Sequence, residues 1–157
     1  MLRVGLLGCG RIAQRHSELL GCGAIDGARL QSVCDLDLGK AESLAAKYGV
    51  SSYGSLVSML EQEDLDVVAV LTDSGSHAEN AIAIARFGKH IIVEKPMALT
   101  LADADAMIAE AEKYDVQLFV VQQNRFNVPV VKLRSALMEG RLGQITMGTV
   151  RVRWCRT

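Results

Sequence analysis

Short, almost wholly apolar runs alternate along this chain with longer segments whose apolar residues recur at helical spacing. Arg3 to Leu7, Leu30 to Cys34, Val67 to Leu71, His90 to Val93 and Gln117 to Val121 read as five strands. Arg11 to Leu20, Leu38 to Tyr48, Ala78 to Phe87 and Leu101 to Tyr114 read as helices, with Gly49 and Gly88 as stops, and Ser55 to Leu60 as a short helical turn. Ser76-x-x-Glu79 and Thr100-x-x-Asp103 have the form of capping boxes. A strand that is apolar at successive positions is buried on both faces. Such strands alternating with helices predict an α/β fold, a doubly wound parallel sheet covered on both sides.

The pattern changes after Val121. Gln122 to Asn127 is polar and without period, a helix is expected from about Val130 to Glu139, and Ile145 to Trp154 alternates apolar with polar in the manner of a half-buried antiparallel strand. A lone strand needs a partner. The simplest expectation is two domains: residues 1–122, and residues 123–157 as the truncated start of a second α/β domain. The unpaired strand would also promote concentration-dependent association of the chain.

Composition narrows the function. The 157 residues are 50% hydrophobic and carry a formal charge of −1, with only 4% aromatics. This disfavours nucleic-acid and membrane partners, which call for basic or base-stacking surfaces. No run approaches the ~18 apolar residues of a membrane span, and the apolar run after Arg3 is too short for a signal-peptide core. Cys9, Cys22, Cys34 and Cys155 form no CxxC pair and no metal-ligand cluster with histidine, so no metal site is expected. They read as small, buried or half-buried thiols in a reducing cytoplasm.

Gly8-Cys9-Gly10-Arg11-Ile12-Ala13 is a GxGxxA loop directly after the first strand and opening a helix. Gly8 permits the tight turn, Gly10 lets backbone approach a pyrophosphate, and Ala13 keeps helix and strand close. The helix start, with Arg11 and Ile12, supplies amide N–H groups and the positive dipole end to the phosphates. Asp35 ends the second strand, near the ~20-residue spacing at which an acid takes the adenosine ribose hydroxyls. Asp37 is a competitor better suited to starting the next helix. Leu36 offers no cation for a 2′-phosphate, and a carboxylate would repel one, so the expected cofactor is NAD rather than NADP.

Ligands of such sheets sit beyond the carboxyl ends of the strands. There, Thr72 to His77 follows Val67 to Leu71; its polar residues can line a cofactor channel, while His77 is either a cofactor contact or an exposed first-turn residue. Glu94-Lys95-Pro96 follows His90 to Val93. Proline restricts Lys95 to extended geometry and admits a cis bond. The Lys95 ammonium is either solvated or aimed at the crevice, where it could help move a substrate hydroxyl proton during hydride transfer.

Taken together, the GxGxxA loop, Asp35, the Thr72 to His77 loop, Gly88-Lys89-His90 and above all Glu94-Lys95-Pro96 resemble the Gfo/Idh/MocA oxidoreductases, from Arg3 to about Gly143. The resemblance implies an NAD-binding Rossmann domain followed by a domain with a large, mostly antiparallel sheet, through which relatives assemble as homo-oligomers. It implies that Lys95 is catalytic and contacts substrate, that Glu94 and His77 contact the cofactor with Gly8, Gly10, Arg11, Ile12, Asp35, Thr72 and Lys95, and that an acid/base histidine lies beyond Thr157. The chain alone is then expected to bind NAD without turnover. Asp73 departs from the family pattern, which usually has proline there. Gln123 to Leu133 and Val150 to Arg156 resemble the nucleotide-sugar branch, whose enzymes oxidise the C3 hydroxyl of UDP-N-acetylglucosaminuronate with NAD in bacterial polysaccharide biosynthesis. By that resemblance Asn124 contacts cofactor and Arg125 substrate, with interdomain structure as the other reading. The alternatives are an inositol or other sugar dehydrogenase, and a non-catalytic NAD-binding module.

Overall fold

A computed structural model describes residues 1–153 and 155. The chain divides into two compact units, Met1–Val121 and Gln122–Thr157. In the first, the elements run β1 (Leu2–Leu7), α1 (Arg11–Gly21), β2 (Ala28–Cys34), α2 (Leu38–Tyr48), β3 (Ser51–Tyr53), α3 (Leu56–Gln62), β4 (Val67–Val70), α4 (His77–Arg86), β5 (His90–Val93), α5 (Leu101–Lys113) and β6 (Leu118–Val120). The six strands form one parallel sheet in the order β3-β2-β1-β4-β5-β6. This is the doubly wound arrangement, and the order reverses between β1 and β4.

The four inner strands feed two cores. Val4 and Leu6, with Val67 and Ala69, pack toward Ala13, Leu20, Ala41 and Leu44 of α1 and α2. Leu7, Val68, Val70, Ile91 and Val93 pack on the other face against Met59, Ile84 and Met107 of α3, α4 and α5. Side chains alternate across a strand, so burial of both faces demands the unbroken apolar runs seen in the sequence.

Three local expectations are corrected. A sixth strand, β3, pairs Ser51 to Tyr53 with Ser32 to Cys34 at the sheet edge; three residues with two serines carry no apolar run to reveal it. The Ser76 capping box does not form: Ser76 Oγ turns back to lie 3.0 Å from Thr72 Oγ1, Asp73 O and Asp73 Oδ1, and α4 has no side-chain cap. The Thr100 cap does form, its Oγ1 accepting the Asp103 N–H at 3.1 Å. The cysteines also divide: Cys9 and Cys34 are buried, whereas Cys22 and Cys155 are exposed.

The second unit contains a 3₁₀ turn at Gln123–Phe126 and α6 (Val128–Met138). The strand expected over Ile145 to Trp154 is absent at residues 145–153, and Trp154 lies outside the described residues. Alternation supplies a face but no neighbour, and strand backbone is satisfied only by a paired strand. Association through that strand's edge loses its basis with it. No helix among the described residues is long and apolar enough to cross a membrane.

Candidate functional site

The carboxyl ends of β1, β2 and β4 surround a cleft of about 460 Å³ lined by Gly8, Gly10, Asp35, Leu36, Thr72 and Asp73 among others. The chain must turn sharply from β1 into α1. Gly8 does so at φ +97°, and a Cβ there would meet the Leu71 carbonyl carbon at 2.8 Å. The Gly8 N–H is held by Cys34 O at 2.7 Å, which ties the turn to β2. Gly10 differs. Its φ of −76° suits any residue, and a Cβ would meet nothing within 4 Å. Among the described residues, neither backbone strain nor packing requires glycine at 10; a ligand approaching the helix start closely would. Gly10 caps α1 without a side-chain hydrogen bond, and no acid occupies the first turn. Arg11 and Ile12 in that turn are exposed, while Ala13 is buried against the sheet. These features fit a dinucleotide pyrophosphate.

Asp35 is held from both sides. Its Oδ2 accepts the Cys9 N–H at 2.7 Å and its Oδ1 accepts the Asp37 N–H at 2.9 Å. Each carboxylate oxygen keeps acceptor capacity for a further donor. Asp37 itself is the N-cap residue of α2, as its position suggested. Burial, aided by the Asp35 charge, pushes the neighbouring Cys9 and Cys34 thiols up to about 12 and about 11, so both stay protonated and inert. Asp73 and Glu79 add carboxylates to the cleft, and among the described residues no lysine or arginine lines it. Asn80, whose Nδ2 donates to Thr72 Oγ1 at 3.4 Å, also lines it. Glu79 and Asn80 project from α4, a placement that a strand-end search of the sequence passes over.

Lys95 is exposed just past β5, and the Lys95–Pro96 bond is cis. Glu94 is 9% exposed; its Oε2 accepts the Lys95 N–H at 3.1 Å and its Oε1 lies 3.4 Å from His16 Nε2. His77 is buried, which removes the reading of an exposed first-turn residue. Its ring is 1% exposed and does not line the cleft; Nδ1 lies 2.8 Å from Pro96 O and Nε2 3.2 Å from Thr72 O. His16, which sequence reasoning passed over, sits on α1 at helical spacing from the glycine loop; only that spacing could have drawn notice to it. Asn124 and Arg125 lie in the 3₁₀ turn of the second unit and are exposed.

Residues 2–122 match the family model of the Gfo/Idh/MocA oxidoreductases, described as an oxidoreductase family with an NAD-binding Rossmann fold. A myo-inositol 2-dehydrogenase of Thermotoga maritima is 36% identical over 144 residues, covering 91% of this chain and 42% of that protein. The WlbA dehydrogenase of Bordetella pertussis, solved with NADH and UDP-GlcNAcA, superposes with a TM-score of 0.86 at 36% identity, covering 90% of this chain and 43% of that one. The WlbA dehydrogenase of Chromobacterium violaceum, solved with the same two ligands, gives 0.86 at 39% identity, covering 90% and 41%. This chain therefore spans less than half the length of the relatives it matches.

Proposed function

This chain belongs to the Gfo/Idh/MocA oxidoreductase family, and we propose that it is the cofactor-binding part of an NAD-dependent dehydrogenase acting on a sugar or nucleotide-sugar hydroxyl. The position oxidised is C3 of a UDP-N-acetylhexosaminuronate. The observation that carries the cofactor reading is the pairing of Gly10, a glycine that the described fold does not need, with Asp35, fixed across the same cleft. The nucleotide-sugar reading draws on the two relatives solved with UDP-GlcNAcA. Inositol is the second reading, because a myo-inositol 2-dehydrogenase is 36% identical.

In this reading Gly8, Gly10, Arg11 and Ile12 hold the pyrophosphate, Asp35 the adenosine ribose, and Thr72 the wall of the cleft. The dinucleotide then runs from β2 across β1 toward β4 and β5, because the order of strands at the switch point leaves the far half only that direction. Glu94 and Lys95 await it there. Hydride acceptance at nicotinamide C4 is the chemistry NAD supplies when bound. Lys95 Nζ hydrogen-bonds the substrate hydroxyl and assists removal of its proton. Residues 123–157 begin a C-terminal substrate and oligomerisation domain in which Asn124 meets cofactor and Arg125 substrate. The whole protein works as a cytoplasmic homo-oligomer.

Calorimetric titration of the chain with NAD and NADP tests the cofactor half. NAD alone should bind; preference for NADP overturns the role of Asp35. Turnover assays of the whole protein with NAD and either UDP-GlcNAcA or myo-inositol test the substrate half, and oxidation of myo-inositol alone selects the second reading. The chain by itself should turn over neither.

A further inference from the structure

The segment Glu94–Lys95–Pro96 is gripped from two helices whose starts frame the cleft. From α1, His16 reaches the Glu94 carboxylate, Nε2 to Oε1, at 3.4 Å. The other oxygen of that carboxylate accepts the Lys95 N–H at 3.1 Å. From the first residue of α4, His77 Nδ1 meets Pro96 O at 2.8 Å, while Nε2 faces Thr72 O at 3.2 Å. His77 thus joins the loop after β4 to the segment after β5. Both partners are carbonyl acceptors, and the shorter contact is the N–H of Nδ1 donating to Pro96 O. Glu94 and His77 are 9% and 1% exposed. Buried polar groups are seldom retained without partners, and the partners of these two converge on the backbone on either side of Lys95.

We propose that His16 and His77 are positioning residues that brace Glu94–Lys95–Pro96 in the geometry that receives the nicotinamide half of the dinucleotide. The inference rests on the NAD-binding reading above. It adds that the two histidines act on one half of the ligand only, through Glu94 and Pro96, and touch no ligand themselves. The adenosine half is held at the ends of β1 and β2, away from the brace.

The test compares NAD with ADP-ribose, which retains both phosphates and the adenosine but lacks nicotinamide, by calorimetry on the 157-residue chain. His16→Leu should bind ADP-ribose as the unmodified chain does and NAD about tenfold more weakly, the loss of one hydrogen bond to a charged group. His16→Gln, with an amide nitrogen near the place of Nε2, should restore NAD affinity. His77→Leu should show the same selective loss, and His77→Asn, with a donor near the place of Nδ1, should recover it. His77 is fully enclosed, so circular dichroism checks that its variants fold; half-exposed His16 carries the test if they do not. Equal loss of both ligands, no loss of either, or equal affinity of the unmodified chain for both overturns the brace. An unmodified chain that binds neither ligand overturns the NAD reading itself, and the brace with it.

Discussion

The Asp35 carboxylate accepts the backbone N–H of Cys9 across 2.7 Å, so the acid ending β2 and the glycine loop ending β1 form one corner. A second backbone N–H, that of Asp37, donates to the same carboxylate at 2.9 Å. Asp35 is therefore a structural acceptor as well as the proposed ribose contact. Asp35→Asn keeps one acceptor oxygen and should cost about 1–2 kcal/mol of stability, because one N–H loses a charge-assisted partner. NAD should bind at least tenfold more weakly, and the preference over NADP should narrow. Urea unfolding and calorimetry measure the two effects.

The two glycines of the loop should separate stability from binding. Gly8→Ala places a Cβ 2.8 Å from the Leu71 carbonyl carbon at φ +97° and should lose about 3 kcal/mol of stability. Gly10→Ala meets nothing within 4 Å, so its melting curve should match the unmodified chain while NAD binding falls at least tenfold. If Gly10→Ala melts lower and binds normally, glycine at 10 serves the fold instead.

Native labelling should divide the cysteines. Burial first, and then the Asp35 charge, hold the Cys9 thiol up at about 12 and the Cys34 thiol at about 11, and the thiolate is the species that alkylates. Iodoacetamide at pH ~8 should modify exposed Cys22 and Cys155 and spare Cys9 and Cys34. Peptide mapping by mass spectrometry reads the outcome; rapid labelling of Cys9 would mean that the loop opens in solution.

Acid should weaken the tie between β1 and the segment entering β4. Arg3 donates from Nη2 and Nε to Asp66 at 2.7 and 3.0 Å, and its backbone N–H donates to the same carboxylate at 2.7 Å. The Arg3 side-chain bonds, then its backbone bond, hold the Asp66 carboxyl well below the usual range. A carboxyl depressed on folding stabilises fully above its unfolded pKa of ~4 and loses that contribution as pH falls toward the folded value. Unfolding free energy should therefore decline below pH ~4, less steeply in Asp66→Asn. Identical slopes in urea titrations across that range would exclude the pair as a source of acid sensitivity.

Runs such as Val67 to Leu71 announced strands buried on both faces, and the GxGxxA loop with Asp35 announced the corner, because both signals lie in neighbouring or regularly spaced residues. That locality made the doubly wound sheet and half of the cleft legible from residue order alone. The failures are of another kind. Ser51 to Tyr53 is a strand only because β2 lies beside it, and residues 145–153, with a better strand pattern, pair with no strand among the described residues. Ser76 fits a capping box but finds closer acceptors in its own loop. His16 and Glu94 have no relation that spacing could display; they meet only because the fold brings α1 to the segment that follows β5. Local chemistry decides what each segment can become. Hydrogen-bond partners distant in sequence decide which option is taken, since a polar group's satisfaction depends on what the fold sets against it.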